Sequence, residues 1–473
     1  MRSTNREILR LAIPSIVSNL TVPLLGLVDV AIMGHIDNVA YIGAIAVGSM
    51  IFNVSYWLFG FLRMGTSGMT AQALGARDMR TAMLTLTRAQ VIAIGVAVMM
   101  IMLQLPLLRL ALWAISPSAE VAPHVMRYFQ ICVWGAPATL MVYVLSGWFI
   151  GMQNTRFPMI VAISQNIINI VASAVFVFAM GMKIEGAALG TLTAQWAGFA
   201  IAVMMWYGGY RQLWRYRPTN IKTLRNGLRR FFNVNSDIFL RTVFLVAVNL
   251  FFTSAGARQG DMILAVNTLL MTLFMLFSYV MDGFAFAGEA LGGKYYGMAQ
   301  HNARIEEPHP CPVPEKGGEL YQPIIQDGGD GLREVTRMLF IWGIALVVIF
   351  TATYAIGGRH ILSLLTSHAD VVEAAMPYLP WAIAVPVCGM AAFIYDGLFI
   401  GITATRGMLI ACAIAAIVFF AVFLTLYPTL ANHALWLAFC LFLIIRGVTQ
   451  HIIFKKLSFM FFVLCFMLIS FGS

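Results

Sequence analysis

The sequence predicts an all-α integral membrane protein of twelve transmembrane helices arranged as two parallel-repeat six-helix lobes. Three observations carry that reading. Only 11% of the 473 residues are charged and 60% are hydrophobic, whereas about a quarter of an ordinary soluble protein is charged. Charge-free intervals recur along the whole length, at 38–62, 89–108, 128–155, 157–182, 186–210, 262–281, 338–358, 374–395 and 407–445, each reaching the roughly 20 residues a helix needs to cross about 30 Å of hydrocarbon. The chain also repeats itself at long range.

The spans are helices because runs such as 160–180 are apolar on every side, while barrel strands alternate apolar and polar residues over about ten positions. The first, 8–33, follows a basic start that superficially resembles a signal peptide. No small-residue cleavage site follows, and Pro14, Pro23 and Asp29 interrupt the run, so it reads as a retained span. Spans at 42–66, 82–106, 125–150, 158–181 and 187–208 complete an N-terminal lobe, 1–210. A basic linker, 211–235, leads to spans at 238–256, 262–287, 336–356, 374–400, 408–427 and 433–454, a C-terminal lobe over 236–454. Inside that lobe, 301–332 is an inserted loop whose Pro, Gly and acidic content reads as disordered. An apolar tail, 455–473, follows; its segment 457–472 is short for a span and is open to three readings: interfacial, packed on the bundle, or a thirteenth crossing.

With the N-terminus on the cytoplasmic side, Arg109, Arg127, Lys183, Arg258 and Arg359 are all that fall outside, five of 30 Lys and Arg. That asymmetry is the positive-inside pattern. It accounts for the net charge of +10 without nucleic acid as a partner. The expected setting is the bacterial cytoplasmic membrane, crossed by a monomer with both ends of the twelve-span core inside, its partners the lipid bilayer, a small organic substrate and a coupling cation.

Gln72-Ala73-Leu74-Gly75 recurs as Glu289-Ala290-Leu291-Gly292, 217 residues later. Gly147-Trp148-Phe149-Ile150-Gly151 recurs as Gly397-Leu398-Phe399-Ile400-Gly401, 250 residues later, with Arg156 matching Arg406. Six spans per half is an even number, so both halves enter from one side, as parallel repeats do. The two offsets differ by 33 residues, which places an insertion between spans 8 and 9.

Three carboxylates lie well inside spans: Asp29, Asp282 and Asp396, with Glu289 at the cytoplasmic end of span 8. A charge at the bilayer centre costs about 2.5–3.5 kcal/mol on insertion scales, so such groups face the bundle interior and serve function or sit in a fixed ion pair, for which Arg63 is a candidate partner. Pro14 lacks the amide that closes the helical ladder, so span 1 bends there. Asn166, Asn169 and Ser173 put amides and a hydroxyl on span 5, and Asn169 and Ser173, four apart, share a face. The histidines fall near the surfaces and the six cysteines show no metal-ligand or disulfide spacing. The 29 methionines suit a flexible apolar cavity, or simply lipid contact.

The stretch from Thr21 to Asp29, followed by Gly34-His35 and by Thr70-Ala71-Gln72-Ala73-Leu74-Gly75-Ala76, resembles the DinF branch of the multidrug and toxic compound extrusion (MATE) family. The likeness continues through Asn166-Ile167-Ile168-Asn169-Ile170, Ala265-Val266-Asn267, Met281-Asp282-Gly283-Phe284-Ala285 and Asn432-His433-Ala434-Leu435-Trp436. The resemblance implies a V-shaped pair of six-helix lobes, no enzymatic activity, and cation-coupled export of organic, often cationic or amphipathic, small molecules by alternating access. It assigns proton or cation coupling to Asp29, Asn169 and Thr191 and a helix kink to Pro14; Ser173, on the face of Asn169, is read into the same coupling set, and the acids Asp282, Asp396 and Glu289, from their places in the spans, are read as a C-lobe cavity. No cofactor or resident metal is implied, only a coupling ion: a proton, with sodium the alternative. Many relatives carry an acid where Ser173 stands, and its loss weighs toward the proton.

Two other functions compete. A lipid-linked oligosaccharide flippase of related architecture needs several Arg or Lys in its cavity to hold pyrophosphate, whereas the deep charges read from sequence are mostly acidic. A membrane-embedded transferase needs a nucleophile or base clustered at a membrane surface, and no loop here is large enough to build one.

Overall fold

The computed structural model describes residues 2–34, 39–218, 221–225, 227–305, 322–366 and 368–470, without the side chains of 2, 22–34, 39, 40, 42, 114, 221, 222, 303–305, 322–328 and 458–470. All regular structure among them is helical. In order these are α1 (Arg2–Gly34), α2 (Val39–Leu58), α3 (Phe61–Gly75), α4 (Met79–Met102), α5 (Gln104–Ile115), α6 (Ala122–Cys132), α7 (Ala136–Gly151), α8 (Arg156–Ala174), α9 (Lys183–Tyr210), α10 (Ile221–Arg225), α11 (Leu228–Ala257), α12 (Asp261–Ile305), α13 (Gln322–Leu365), α14 (Ala369–Ala375), α15 (Leu379–Gly401), α16 (Thr405–Leu430) and α17 (Asn432–Ser470). Eleven continuous helical stretches among the described residues are long and apolar enough to cross a membrane. At 33 residues α1 makes the twelfth.

Helices begin and end where the polar punctuation dictates. Asp78 caps α4: its carboxylate accepts from the Thr81 amide at 2.9 Å and the Thr81 hydroxyl at 2.6 Å, serving orphan donors of the first turn. Span 2 is not one helix: the chain breaks at Phe59–Gly60 between α2 and α3. The inserted loop is shorter than its composition predicts, because α13 already starts at Gln322 and Gly331 packs against the Tyr295 ring of α12. Pro323 in its first turn needs no intrahelical acceptor. Residues 306–321 lie outside the described residues. The apolar tail is no separate helix; α17 runs on unbroken to Ser470.

The chain forms two compact units. One comprises residues 13–70 and 78–235; the other comprises 1–12, 71–77 and 236–473. The first, called the N-unit here, has a core around Phe52, Phe129, Leu140, Trp148, Phe149 and Phe231. Trp148 is fully buried and donates its indole N–H to the Ala82 carbonyl at 3.1 Å, so the ring packs without an orphan donor. The second, the C-unit, centres on Phe252, Tyr354, Phe419, Trp436, Phe439 and Phe442. Both use glycine for backbone contact, as helices in lipid do when small residues let them close. A Cβ on Gly147 would lie 2.2 Å from the Arg63 carbonyl, and one on Gly397 would lie 2.2 Å from the Ala285 carbonyl.

The sequence repeat is a repeat of backbone. After α7 the amides of Met152, Gln153 and Asn154 bond to the carbonyls of Trp148, Ile150 and Phe149. After α15 those of Ile402, Thr403 and Ala404 bond to Leu398, Ile400 and Phe399. The middle residue is left-handed in both turns, Gln153 at φ 63° and Thr403 at φ 54°.

Candidate functional site

In the N-unit the polar positions singled out in sequence converge where α8 meets α9. Asn169 and Ser173 stand one turn apart on α8, 2% and 0% exposed. The Asn169 amide donates to the Thr191 hydroxyl on α9 at 3.1 Å, and that hydroxyl donates to the Ala187 carbonyl at 3.1 Å. Two oxygens are left over: Asn169 Oδ1 and Ser173 Oγ are enclosed without a hydrogen-bond partner among the described residues. An unserved buried acceptor costs about 1–3 kcal/mol, and such groups are uncommon in folded proteins. The close approach of α9 encloses them: a Cβ on Gly190 would lie 2.2 Å from Ser173 Oγ.

Directly after Ser173 and Ala174 the helix widens into a π-turn over Val175–Ala179, closed by the Met180 amide on the Val175 carbonyl at 3.1 Å. Such turns recur at functional sites. On the preceding turn of α8, Asn166 donates to the backbone carbonyl of Thr21 on α1 at 3.0 Å. The polar side of α8 therefore holds α1 two turns before Asp29. The Asp29 side chain lies outside the described residues. Pro14 is buried within α1, and the changeover from C-unit to N-unit falls beside it, between residues 12 and 13.

The acids expected in a C-lobe cavity have separate surroundings. Asp396 on α15, 6% exposed, is paired with two guanidinium groups: Arg241 of α11, and Arg446 of α17 at 3.3 Å. Gln450, one turn beyond Arg446, donates to the other carboxylate oxygen at 2.6 Å. Arg446 also lies over the rings of Phe393 and Phe442, 5.8 and 5.7 Å from their centroids. Glu289 is buried on α12 with its backbone against Gly401, and Asp282 is half-buried two turns earlier on the same helix. Neither is among the partners of Asp396.

The deep charges are thus not mostly acidic. Arg241 and Arg446 are as buried as Asp396, and sequence reasoning passed over both because each stands near the edge of an apolar run. The signal was present: Arg446 and Gln450 are four apart directly after the apolar run from Ala434 to Ile445, which puts both on one face. Among the described residues no group of three His, Cys, Asp or Glu side chains is placed to hold a metal ion.

The MatE family model matches residues 14–175. The DNA damage-inducible protein F of Escherichia coli is 35% identical over 466 residues, covering 96% of this chain and 93% of that protein. The chloroplastic protein DETOXIFICATION 44 of Arabidopsis thaliana is 22% identical across 93% of this chain and 80% of its own length. A solved structure described as the outward-facing conformation of a multidrug resistance MATE family transporter superposes with a TM-score of 0.79 at 16% identity, covering 97% of this chain and 96% of that one. At that identity the likeness is one of fold.

Proposed function

Because the chain belongs to the MATE family of multidrug efflux transporters, we propose that it is a proton-coupled antiporter exporting organic, often cationic or amphipathic, small molecules from the bacterial cytoplasm. The observation that supports this reading is the pair of unserved oxygens at the α8–α9 contact, Asn169 Oδ1 and Ser173 Oγ, beside a hydrogen-bonded Asn169 and Thr191. They are acceptors held in a low-dielectric interior, where a proton donor or cation gains most. Asn169, Ser173 and Thr191 supply polar oxygens without a fixed charge; Asp29, on the helix that Asn166 tethers, supplies the titrating group.

Coupling then works through two protonation states of one acid. An ionised carboxylate within an apolar span is costly unless amides and hydroxyls turn toward it; protonated, it needs fewer of them. Each state favours its own shape of α1, with Pro14 as the flexing point. A ligand shifts such an equilibrium only by its unequal affinity for the two shapes, so substrate and proton displace one another. Sodium in place of the proton would have to bind Asp29 and three neutral oxygens, one charge fewer than a site with an acid at position 173.

The test is efflux of a fluorescent organic cation from proteoliposomes under separately imposed proton and sodium gradients. Wild-type protein should respond to the proton gradient, and Asp29→Asn, which mimics the protonated form at nearly constant shape, should lose gradient-driven efflux while eluting and melting like wild type. Pumping by Asp29→Asn at the wild-type rate would overturn the role of Asp29, and drive by sodium alone would overturn the choice of ion.

A further inference from the structure

The charges buried in the C-unit do not balance. Helices α11, α15 and α17 bring Arg241, Asp396 and Arg446 together inside stretches long and apolar enough to cross a membrane. Two of the three are cations, and among the described residues no acid other than Asp396 forms an ion pair with either guanidinium. Asp237, one turn before Arg241 on α11, accepts from the Thr405 hydroxyl at 2.8 Å. A buried lysine can shed its proton and so lose its charge, whereas an arginine stays protonated in proteins. A surplus of one positive charge is therefore fixed where a charge is costly.

The hydrogen bonds are as unbalanced as the charges. A guanidinium is a fork of N–H donors, yet among the described residues each of these two makes one hydrogen bond, and both bonds end on the same atom, Asp396 Oδ2. Gln450 takes the other carboxylate oxygen. Arg241 Nε and Arg446 Nε are left enclosed without an acceptor, and Gln450 Oε1 without a donor. Two neutral remedies fall short. The rings of Phe393 and Phe442 against Arg446 ease its charge without cancelling it. A water joining Gln450 Oε1 to an Nε–H serves the dipoles but brings no charge.

We propose that this cluster is an anion site, in which a small monovalent anion, a halide or a carboxylate group, lies against the parts of Arg241 and Arg446 that Asp396 leaves unserved. The set then holds two cations and two anions. One charge is what the surplus calls for, so phosphate and sulfate overshoot it. Burial of Arg241, Asp396, Arg446 and Gln450, none more than 6% exposed, favours a small ion, and guanidinium forks match carboxylates in geometry. Asp396 is the built-in member of the anionic pair, and Gln450, by holding Oδ1, keeps Oδ2 turned to both arginines. The site stands on the charge count and the unserved donors, and on no reading of what the chain transports.

The experiment follows the melting temperature of the full chain in detergent as chloride or acetate is titrated in, with a bulky sulfonate holding ionic strength constant. Wild type should melt several degrees higher at saturating anion. Arg446→Met leaves one cation and one carboxylate, so its melting temperature should rise by less than a quarter of the wild-type shift. Asp396→Asn enlarges the surplus, so half its shift should come at an anion concentration at least fivefold below that of wild type. A response to chloride, with or without acetate, assigns the site to an inorganic halide. A response to acetate alone assigns it to a carboxylate carried by a larger molecule, and either result sustains the anion site. Wild-type protein indifferent to both anions overturns it. So does Arg446→Met stabilised as much as wild type, since the shift would then be a salt effect with no link to the cluster. If Arg446→Met does not fold, the wild-type titration and the Asp396→Asn comparison decide by themselves: equal half-effect concentrations in those two proteins overturn the site.

Discussion

Replacing Asp396 by Asn tests whether the C-unit acid is a fixed counter-ion or a cavity group. The side chains of Arg241, Arg446 and Asp396 are 7%, 5% and 8% exposed, so both ion pairs are shielded from solvent. Asn keeps the shape and can still accept from one guanidinium, but it leaves two buried positive charges with no carboxylate. Breaking a buried pair by removing one partner costs about 3–5 kcal/mol, several times the roughly 0.5–1.5 kcal/mol of one neutral hydrogen bond. Equilibrium unfolding in mixed micelles should therefore show Asp396→Asn destabilised by about 3–5 kcal/mol. The triple variant Asp396→Leu, Arg241→Met, Arg446→Met should recover most of the loss, since apolar groups of similar volume can replace a buried ionic cluster at little cost. Binding of cationic and neutral compounds should fall in equal proportion. A loss below about 1 kcal/mol, or a stable Asp396→Asn protein that loses affinity for organic cations while keeping it for neutral ones, would refute the argument and return Asp396 to the substrate cavity.

Pro14→Ala restores a helix amide beside the changeover between units, stiffening α1; turnover in proteoliposomes should drop several-fold with substrate affinity within twofold, and an affinity loss matching the rate loss would count against a flexing role. Deleting 306–321 behind a short hydrophilic join should leave transport near wild type, whereas extending the deletion to Gly331 removes the start of α13 and its packing on Tyr295 and should lower the melting temperature. Full loss of activity in a folded 306–321 deletion would give that segment a function.

Much of this protein was legible without coordinates, because a bilayer forces local sequence to declare itself. Every span must satisfy its backbone internally and bury few charges, so charge-free runs mark helices directly. The repeat of Gly147 to Gly151 at Gly397 to Gly401 marks two identical turns because each closes the same three backbone bonds. The Asn169 and Ser173 pairing was legible for the same local reason, four residues on one helix face. What the spacing could not carry is which helix lies opposite. Thr191 reaches Asn169 from 22 residues away, and Arg241 reaches Asp396 from 155; no periodicity within either helix encodes the partner. The break at Gly60 and the helical start at Gln322 likewise depend on neighbours, since composition alone made one a continuous span and the other a loop. Most dependent of all is the change of unit at Thr70. Gln72-Ala73-Leu74-Gly75 and Glu289-Ala290-Leu291-Gly292 are near copies in sequence, yet one ends a helix docked on α12 and the other lies in the middle of α12, because glycine permits a close approach and only the packed structure determines whose backbone arrives.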